Sequence, residues 1–146
     1  MKSVKVIIIA MLGILITGCC RCNMVQKRYG KPLVGTQWQL VQFEGRDVTP
    51  SDNYTIQFAN DNTFSGIAEC NRMLGRYIAF ENGNMEISNI GLTRMACPNM
   101  EREQRFIEIL ESVTDYKMDG PMLMLICDGE LRAIFQAMNA ELPPER

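Results

Sequence analysis

The chain has 146 residues, which suits one domain and is too short for two ordinary ones, and its 47% hydrophobic and 22% charged residues are typical of a globular protein. The formal net charge of −2 gives no electrostatic support to a nucleic-acid partner. The sequence contains no histidine, which excludes Ser-His-Asp and Cys-His nucleophile systems, zinc sites that use histidine, and histidine acid–base catalysis.

The first 18 residues have the pattern of an export signal. Lys2 and Lys5 precede an uncharged apolar run of eleven residues, 6–16. This run is shorter than the roughly 20 residues that a membrane-spanning helix needs, and it has the length of the hydrophobic region of a signal peptide. Two small residues then lead to Cys19, so the stretch "ITGC" resembles a bacterial lipobox. The resemblance implies removal of residues 1–18 and stable anchoring through acyl chains on Cys19; a plain secretory signal with a cysteine nearby is the alternative.

Residues 19–34 are predicted to be a lipidated N-terminus and a flexible tether, because they contain glycine and proline and show neither a helical nor a strand period. The tether is basic, and its charges favour either contact with an anionic membrane surface or the simple solubility of a linker. Cys20 follows Cys19 directly, where an aspartate is the usual signal for retention in the inner membrane. We therefore expect the protein in the outer membrane, facing the periplasm. For Cys20 and Cys22 three roles stay open: additional acylation sites, crosslinks to a partner, or idle thiols.

Residues 35–138 show mainly the alternating pattern of β-strands. The first predicted strands lie in "TQWQLVQFEG", "YTIQFAN" and "FSGIAEC", with turn residues between them. The stretch "GRYIAFENGNMEISNI" predicts a hairpin, in which Asn82-Gly83 is a favoured two-residue turn. The stretch "YKMDGPMLMLICDGELRAIFQAM" predicts three further short strands, separated by residues 119–121 and 128–129.

One segment, residues 98–113, has the period of an α-helix, because its apolar residues recur every three or four positions between charged ones. Pro98 suits the first helical turn, and Cys97 or Asn99 suits the position that caps it. The prediction is therefore a mainly β (α+β) fold with a curved antiparallel sheet of about eight strands. This sheet is expected to form a small, partly closed barrel with the one helix packed on it, followed by a polar C-terminal tail over residues 139–146.

Three segments carry a resemblance to a known family. In their order and spacing, "GTQWQL" (35–40), "AECNRMLGRY" (68–77) and "TRMACPNMEREQRFIEIL" (93–110) resemble the META domain, also called the HslJ-like domain, of small bacterial envelope proteins. The later stretches "GPMLML" and "LRAIFQ" are similar to its last strands, so the resemblance covers nearly everything after the tether. Glu69 departs from the family pattern, which usually has glycine before the first motif cysteine, and the departure concerns the strand packing there. The family-motif residues with structural roles are Trp38, Asn71, Arg72, Gly75, Tyr77, Thr93, Met95, Glu103 and Phe106.

The resemblance implies a curved antiparallel barrel with one helix in an exported protein, linked to heat shock and to tolerance of envelope-directed or antibiotic stress. It brings no catalytic residue. Both Cys70 and Cys97 lie in the matching segments, and an exported domain lies where disulfides persist, so a disulfide between them is expected; two small buried thiols are the alternative. Such a bond closes a loop of about 27 residues and is worth roughly 3–4 kcal/mol in the chain-entropy model. Cys127, in an apolar strand, is expected to be a buried thiol.

The remaining side chains give no pattern of catalysis or of cofactor binding. A single residue separates Cys20 from Cys22 and the other downstream cysteines stand far apart, which suits neither a zinc site nor a Cys-x-x-Cys redox pair. The carboxylates lie on a helix face or in turns, and no glycine-rich phosphate loop occurs. We therefore expect no catalytic residue, no metal and no cofactor.

Three arginines are a further feature of the motif segments. Arg72, Arg76 and Arg94 are expected near the two motif cysteines, where they offer an anion-binding patch. The simpler interpretation, which we favour, pairs these arginines with Glu69 and Glu103 as structural ion pairs.

Taken together, the sequence predicts a non-catalytic, lipid-anchored envelope protein that acts as a protein-binding module in envelope or stress protection, with an unidentified protein partner. The alternative is an inhibitor of a secreted peptidase, because the chain is similar in size, anchor and architecture to potempin-type inhibitor lipoproteins. In that case a rigid hairpin at residues 81–84, the turn at 119–122 or the tether enters the active site of the peptidase. A lipid- or small-ligand-binding barrel is a third interpretation, which requires an apolar cavity.

Overall fold

The computed structural model describes residues 29–138, so the predicted signal peptide, the first three cysteines (Cys19, Cys20 and Cys22) and the C-terminal tail lie outside the described residues. The described part of the chain forms nine β-strands and one α-helix. In chain order they are β1 (Gln37–Phe43), β2 (Arg46–Asp47), β3 (Tyr54–Phe58), β4 (Thr63–Ala68), β5 (Asn71–Ala79), β6 (Met85–Leu92), α1 (Met100–Glu111), β7 (Asp115–Asp119), β8 (Met122–Cys127) and β9 (Glu130–Ala137). Within this part, no helix combines the length and the apolar character that crossing a membrane requires.

The strands form one antiparallel sheet in the order β6-β5-β4-β3-β1-β9-β8-β7, and β2 pairs with β1 as a short hairpin. The pairing of β1 with β9 joins the two ends of the domain, and register breaks in three strand pairs bend the sheet. The outermost strands meet at one end, where Asn84 forms a bridge with Asp115 and the Met85 N–H donates to Thr114 O at 2.9 Å. The sheet is therefore a curled half-barrel with one helix, which confirms the predicted mainly β fold.

Helix α1 packs against the inner face of the sheet through one apolar stripe. The central residue of this stripe, Phe106, is fully buried, and its ring meets the ring of Tyr54 edge-on with a centroid distance of 5.0 Å. The rings of Phe43 and Phe135 lie 6.1 and 6.2 Å from the Phe106 ring. Aromatic side chains from β1, β3 and β9 thus converge on one helical residue and fix the position of the helix.

The helix is shorter than predicted at both ends, since it spans Met100–Glu111. Asn99 is its N-cap, and the Asn99 side chain accepts a hydrogen bond from the Arg102 N–H at 3.3 Å. An asparagine side chain can accept this bond, whereas proline cannot, so the helix begins after Asn99 and Pro98 lies outside the first turn.

The folded domain begins before residue 35. Val34, which the sequence pattern places in the tether, forms a β-bridge with Phe58, and Leu33 packs against the core. Trp38 is fully buried and donates a hydrogen bond from its indole N–H to Leu33 O at 3.1 Å. The last residues assigned to the tether therefore belong to the fold.

The β5–β6 hairpin does not use the two-residue turn that Asn82-Gly83 predicted. The Gly83 N–H donates to Phe80 O at 3.0 Å and the Phe80 N–H to Asn84 O at 2.9 Å, which closes a three-residue loop. The two-residue turn requires a positive φ at both central positions, but of this pair the positive φ occurs at Gly83 alone, where it is 93°. The predicted turn was therefore wrong in length, although its glycine still supplies the left-handed residue.

Candidate functional site

A disulfide connects the first hairpins of the sheet to the start of the helix. Cys70 lies in the turn between β4 and β5, Cys97 lies shortly before α1, and the structure joins them with a Cα–Cα distance of 5.7 Å. The bond closes a separation of 27 residues. It therefore restricts the segment between β6 and α1 where that segment lies beside the start of β5.

Asn71, directly after Cys70, is the centre of a buried hydrogen-bond network. Its Nδ2 donates to Glu103 Oε2 at 2.7 Å and to Met95 O at 3.2 Å, and its Oδ1 accepts from Thr93 Oγ1 at 2.9 Å and from the Met95 N–H at 2.8 Å. Only 1% of Asn71 is exposed, so these bonds are what makes burial of its amide tolerable. The network attaches β5 both to the segment 93–97 and to helix α1.

Glu103 is the second buried polar residue of this network, with 6% exposure in the first part of α1. Its Oε2 accepts the bond from Asn71 and lies 3.5 Å from Cys97 Sγ. Its other carboxylate oxygen, Oε1, has no hydrogen-bond partner among the described residues. Since no buried side-chain nitrogen or oxygen in that part of the chain lacks a partner, Oε1 is not completely buried.

Glu103 and Asn71 line a cleft of about 720 Å³ between the free edge of β6 and the beginning of α1, here called the Glu103 cleft. Arg94 and Thr93 also line it. Leu92, Met95 and Met100 are 36%, 51% and 54% exposed, so the cleft has open apolar walls. The apolar side chains that line the Glu103 cleft are those of Ile90, Leu92, Met95, Ala96 and Met100.

Glu69, the residue that departs from the family pattern, has a left-handed backbone with a φ of 56°. Glycine adopts this conformation at little cost, which explains in physical terms why glycine suits the position. A glycine at this position would lose one hydrogen bond, because Glu69 Oε2 accepts from Tyr54 Oη at 2.7 Å.

Tyr54 lies in an environment that disfavours its ionised form. Burial and the Glu69 carboxylate raise the pKa of the Tyr54 phenol well above its usual value. The guanidinium of Arg102 lies 5.1 Å from the centre of the same ring.

The predicted pairing of the three motif arginines with Glu69 and Glu103 is wrong. Arg72, Arg76 and Arg94 are exposed and make no ion pair within 4.0 Å in the part of the chain that the structure describes. The two carboxylates have other partners in the fold: Tyr54 donates to Glu69, and Asn71 donates to Glu103. The ion pairs of the described residues lie instead among Glu44, Arg105, Glu108, Glu130 and Arg132.

The remaining motif residues divide into two groups. Trp38 and Phe106 are core side chains, Gly75 leaves room for the Phe64 ring, and Tyr77 donates from Oη to Ala59 O at 2.7 Å. Asn71, Thr93, Met95 and Glu103 surround the Glu103 cleft. All of these residues were predicted from the sequence to have structural roles. That four of them line one cleft was not predicted.

A row of exposed apolar residues was also missed. Leu74, Ile78 and Phe80 are 66%, 46% and 54% exposed on and just after β5. They alternate with Arg72 and Arg76, opposite the buried face of the strand. The signal was the strict two-residue period of this segment, which puts one set of side chains outside whenever the other set is buried.

Cys127 is a buried thiol, as expected, with its Sγ 3.5 Å from Ser112 Oγ. Over residues 29–138, no group of three or more histidine, cysteine, aspartate or glutamate side chains is arranged to hold a metal ion.

This chain is similar to known proteins both in sequence and in fold. The sequence profile of the META domain matches residues 31–139, and no curated protein matches the sequence significantly. A crystal structure of a DUF4847 family protein from Bacteroides vulgatus is similar, with 20% identity and a TM-score of 0.56 over 80% of this chain and 99% of that one. An NMR structure of a protein from Burkholderia xenovorans has 24% identity and a TM-score of 0.57 over 73% of this chain and 84% of that one. These solved structures share the fold; the profile covers most of the sequence, and the chain therefore belongs to the META domain family.

Proposed function

We propose that this protein is a non-catalytic binding module, held in the outer membrane by lipid on Cys19 and facing the periplasm, that protects the envelope by binding another protein. The binding surface in this proposal runs from the outer face of β5 around the edge strand β6 to the segment that leads into α1. We call it the β5–β6 surface. Its residues are Arg72, Leu74, Arg76, Ile78, Phe80, Leu92, Arg94, Met95 and Met100.

The observation that carries the proposal is the distribution of exposed apolar side chains. Among the described residues, seven large apolar side chains are exposed, and six of them belong to the β5–β6 surface. The seventh, Leu131, lies on β9. Leu74, Ile78 and Phe80 lie on the outer face of β5 and directly after it, whereas Leu92, Met95 and Met100 lie around the edge of β6 at the Glu103 cleft. Single exposed apolar residues are normal on a protein, whereas a local concentration of them marks an interaction site.

The kinds of residue on this surface also support a protein partner. Interface centres are enriched in aromatic residues, methionine and arginine. Phe80, Met95 and Met100 supply the first two kinds, and Arg72 and Arg76 supply guanidinium groups without an ion pair within 4.0 Å among the described residues. An unpaired, exposed arginine is available to carboxylates of a partner.

The part of this surface that carries Met95 is attached to the rest of the fold by a disulfide and by buried hydrogen bonds. The disulfide of Cys70 and Cys97 and the network around Asn71 fix the segment that carries Met95. Ordering a loop during association costs free energy, so a surface that is already ordered binds more tightly for the same contacts.

The proposal is tested by capture from envelope extracts with the full-length protein purified in detergent. We expect the wild-type protein to retain a defined partner, Leu74→Ser/Ile78→Ser to lose it, and Leu131→Ser to retain it, since Leu131 is an exposed leucine of another strand. Equal capture by all three proteins would contradict a role for the surface. Metabolic labelling with palmitate in a Cys20→Ser/Cys22→Ser background tests the anchor. Adding Cys19→Ser is expected to remove both the label and the membrane fraction, and a protein that stays labelled would refute it.

Peptidase inhibition is a second candidate, which one feature favours. The loop at residues 81–84 is firmly held, because the Tyr116 N–H donates to Gly83 O at 2.8 Å and Asn84 Nδ2 donates to Asp115 Oδ1 at 3.0 Å. A rigid exposed loop next to the exposed Phe80 is suited to insertion into an active-site cleft. Nanomolar inhibition of a secreted metallo- or serine peptidase would establish this candidate, and its absence across a panel of both classes would remove it.

The third interpretation, a barrel that holds a lipid or a small ligand, receives no support. The inner face of the described sheet is covered by α1 and filled by the fully buried side chains of Trp38, Phe58, Phe64, Phe106 and Phe135.

A further inference from the structure

We propose that the Glu103 cleft binds a lysine side chain of the partner protein. This inference rests on the proposed protein-binding function, and it names the chemical group that the partner presents. It follows from two properties of the cleft: a buried carboxylate of which one oxygen has no hydrogen bond among the described residues, and apolar walls.

The carboxylate supplies the charge. Glu103 is 6% exposed and lines the cleft, and Asn71 binds Oε2, so Oε1 is the carboxylate oxygen that has no hydrogen bond among the described residues. A hydrogen bond from a charged donor to a carboxylate in a partly dehydrated site is stronger than one between neutral groups.

The walls and the single open oxygen favour lysine over arginine. Leu92, Met95 and Met100 offer flexible apolar surface along which a chain of methylene groups can pack while its charged end reaches Oε1. A guanidinium is best bound by two parallel hydrogen bonds to both carboxylate oxygens, and the bond from Asn71 leaves Oε2 a poorer acceptor for the second of them. An ammonium needs only one oxygen of this carboxylate.

Arg94 allows the charge that the cleft prefers in its ligand to be tested. It lines the cleft but makes no ion pair with Glu103 within 4.0 Å, so it acts on an incoming ammonium as a like charge. Removing its charge is therefore expected to strengthen lysine binding, whereas removing the charge of Glu103 is expected to weaken it.

The experiment uses full-length protein in detergent, labelled with ¹³C on the methionine methyl groups, so that Met95 and Met100 report from the cleft. The probes are three capped tripeptides that differ in the central residue: lysine, its uncharged analogue norleucine, and arginine. We expect the lysine peptide to shift the Met95 and Met100 signals and to bind about tenfold more tightly than the norleucine peptide, with arginine between them. Glu103→Gln is expected to abolish the preference for lysine, and Arg94→Gln to increase it.

Equal binding of the lysine and norleucine peptides, tighter binding of the arginine peptide, or unchanged Met95 and Met100 signals would overturn the proposal. Should Glu103→Gln fail to fold, Arg94→Gln decides, because this exposed position tolerates the change and weaker lysine binding by it contradicts the account. Failure here is distinct from failure of the proposed function, which depends on loss of partner capture by Leu74→Ser/Ile78→Ser.

Discussion

Asn71 donates a hydrogen bond of 2.7 Å to Oε2 of Glu103, 32 residues further along the chain, and both residues are buried. This bond connects the start of β5 to the first part of α1, while Cys70, the neighbour of Asn71, is joined to Cys97 before the same helix. A covalent link and a buried polar link thus hold the same two elements together. The Glu103 cleft lies where they meet, so its geometry depends on both links.

Loss of the Asn71 amide is expected to destabilise the protein strongly. Asn71→Ala removes partners from Glu103 Oε2, Thr93 Oγ1 and both backbone groups of Met95, and buried polar groups without partners are costly. We expect the free energy of unfolding to fall by about 3 kcal/mol, measured by urea denaturation. The control is Asn53→Ala at an exposed asparagine, for which we expect a change below about 0.5 kcal/mol. Equal stability of the two variants would contradict the central role of Asn71.

Loss of the disulfide is expected to lower the free energy of unfolding by roughly 3–4 kcal/mol, because the unfolded chain regains the freedom of a long closed loop. The variant is Cys70→Ala/Cys97→Ala, compared with wild-type protein in the presence and absence of a reductant. The reductant is expected to destabilise the wild-type protein and to leave the variant unchanged. The disulfide would be contradicted if the reductant did not change the free energy of unfolding of the wild-type protein and the double variant were as stable as the wild-type protein.

The left-handed conformation of Glu69 and its bond to Tyr54 have opposing effects that a double-mutant cycle separates. In the wild-type background, Glu69→Gly relieves backbone strain but removes the hydrogen bond, so we expect little net change in stability. In a Tyr54→Phe background the hydrogen bond is already absent, and Glu69→Gly is expected to stabilise by about 1 kcal/mol. If Glu69→Gly has the same effect in both backgrounds, the hydrogen bond contributes nothing.

Stability is expected to fall as the pH rises above 10, the ordinary pKa of a tyrosine. Burial and the Glu69 carboxylate raise the pKa of Tyr54 in the folded state, so the unfolded chain loses this proton first and is favoured at alkaline pH. Burial also raises the pKa of Tyr77, which adds to the slope. Urea denaturation across this range is expected to show a shallower decline for Tyr54→Phe than for the wild-type protein. Identical slopes would show that Tyr54 ionises normally.

Local patterns predicted the strands and the helix because the spacing at which apolar residues recur along the sequence differs between the two. Alternation of Tyr54, Ile56 and Phe58 gave β3, and the three-to-four spacing around Phe106 gave α1. The pairing of β1 with β9 joins residues from opposite ends of the domain, and no local pattern encodes such a contact. The sequence therefore predicted the fold class, a curved antiparallel sheet with one helix. The order of the strands in that sheet became known only from the structure.

The site was less predictable for a related reason. The carboxylates of Glu69 and Glu103 were expected to pair with arginines, but in the fold a tyrosine and an asparagine lie closer to them. Which polar groups become neighbours depends on tertiary packing, to which charge alone is a poor guide. The exposed row of Leu74, Ile78 and Phe80 was visible in the sequence, but deciding which face of β5 is buried required the sheet.

Site-specific photo-crosslinking in living cells that produce the protein decides whether the β5–β6 surface binds a partner protein. A photoreactive amino acid is placed at Leu74, within the β5–β6 surface, or at Leu131, an exposed leucine on β9 that serves as the control. We expect a discrete protein adduct from position 74 that increases under envelope stress, and none from position 131. No adduct at position 74, or the same adduct from both positions, would contradict it.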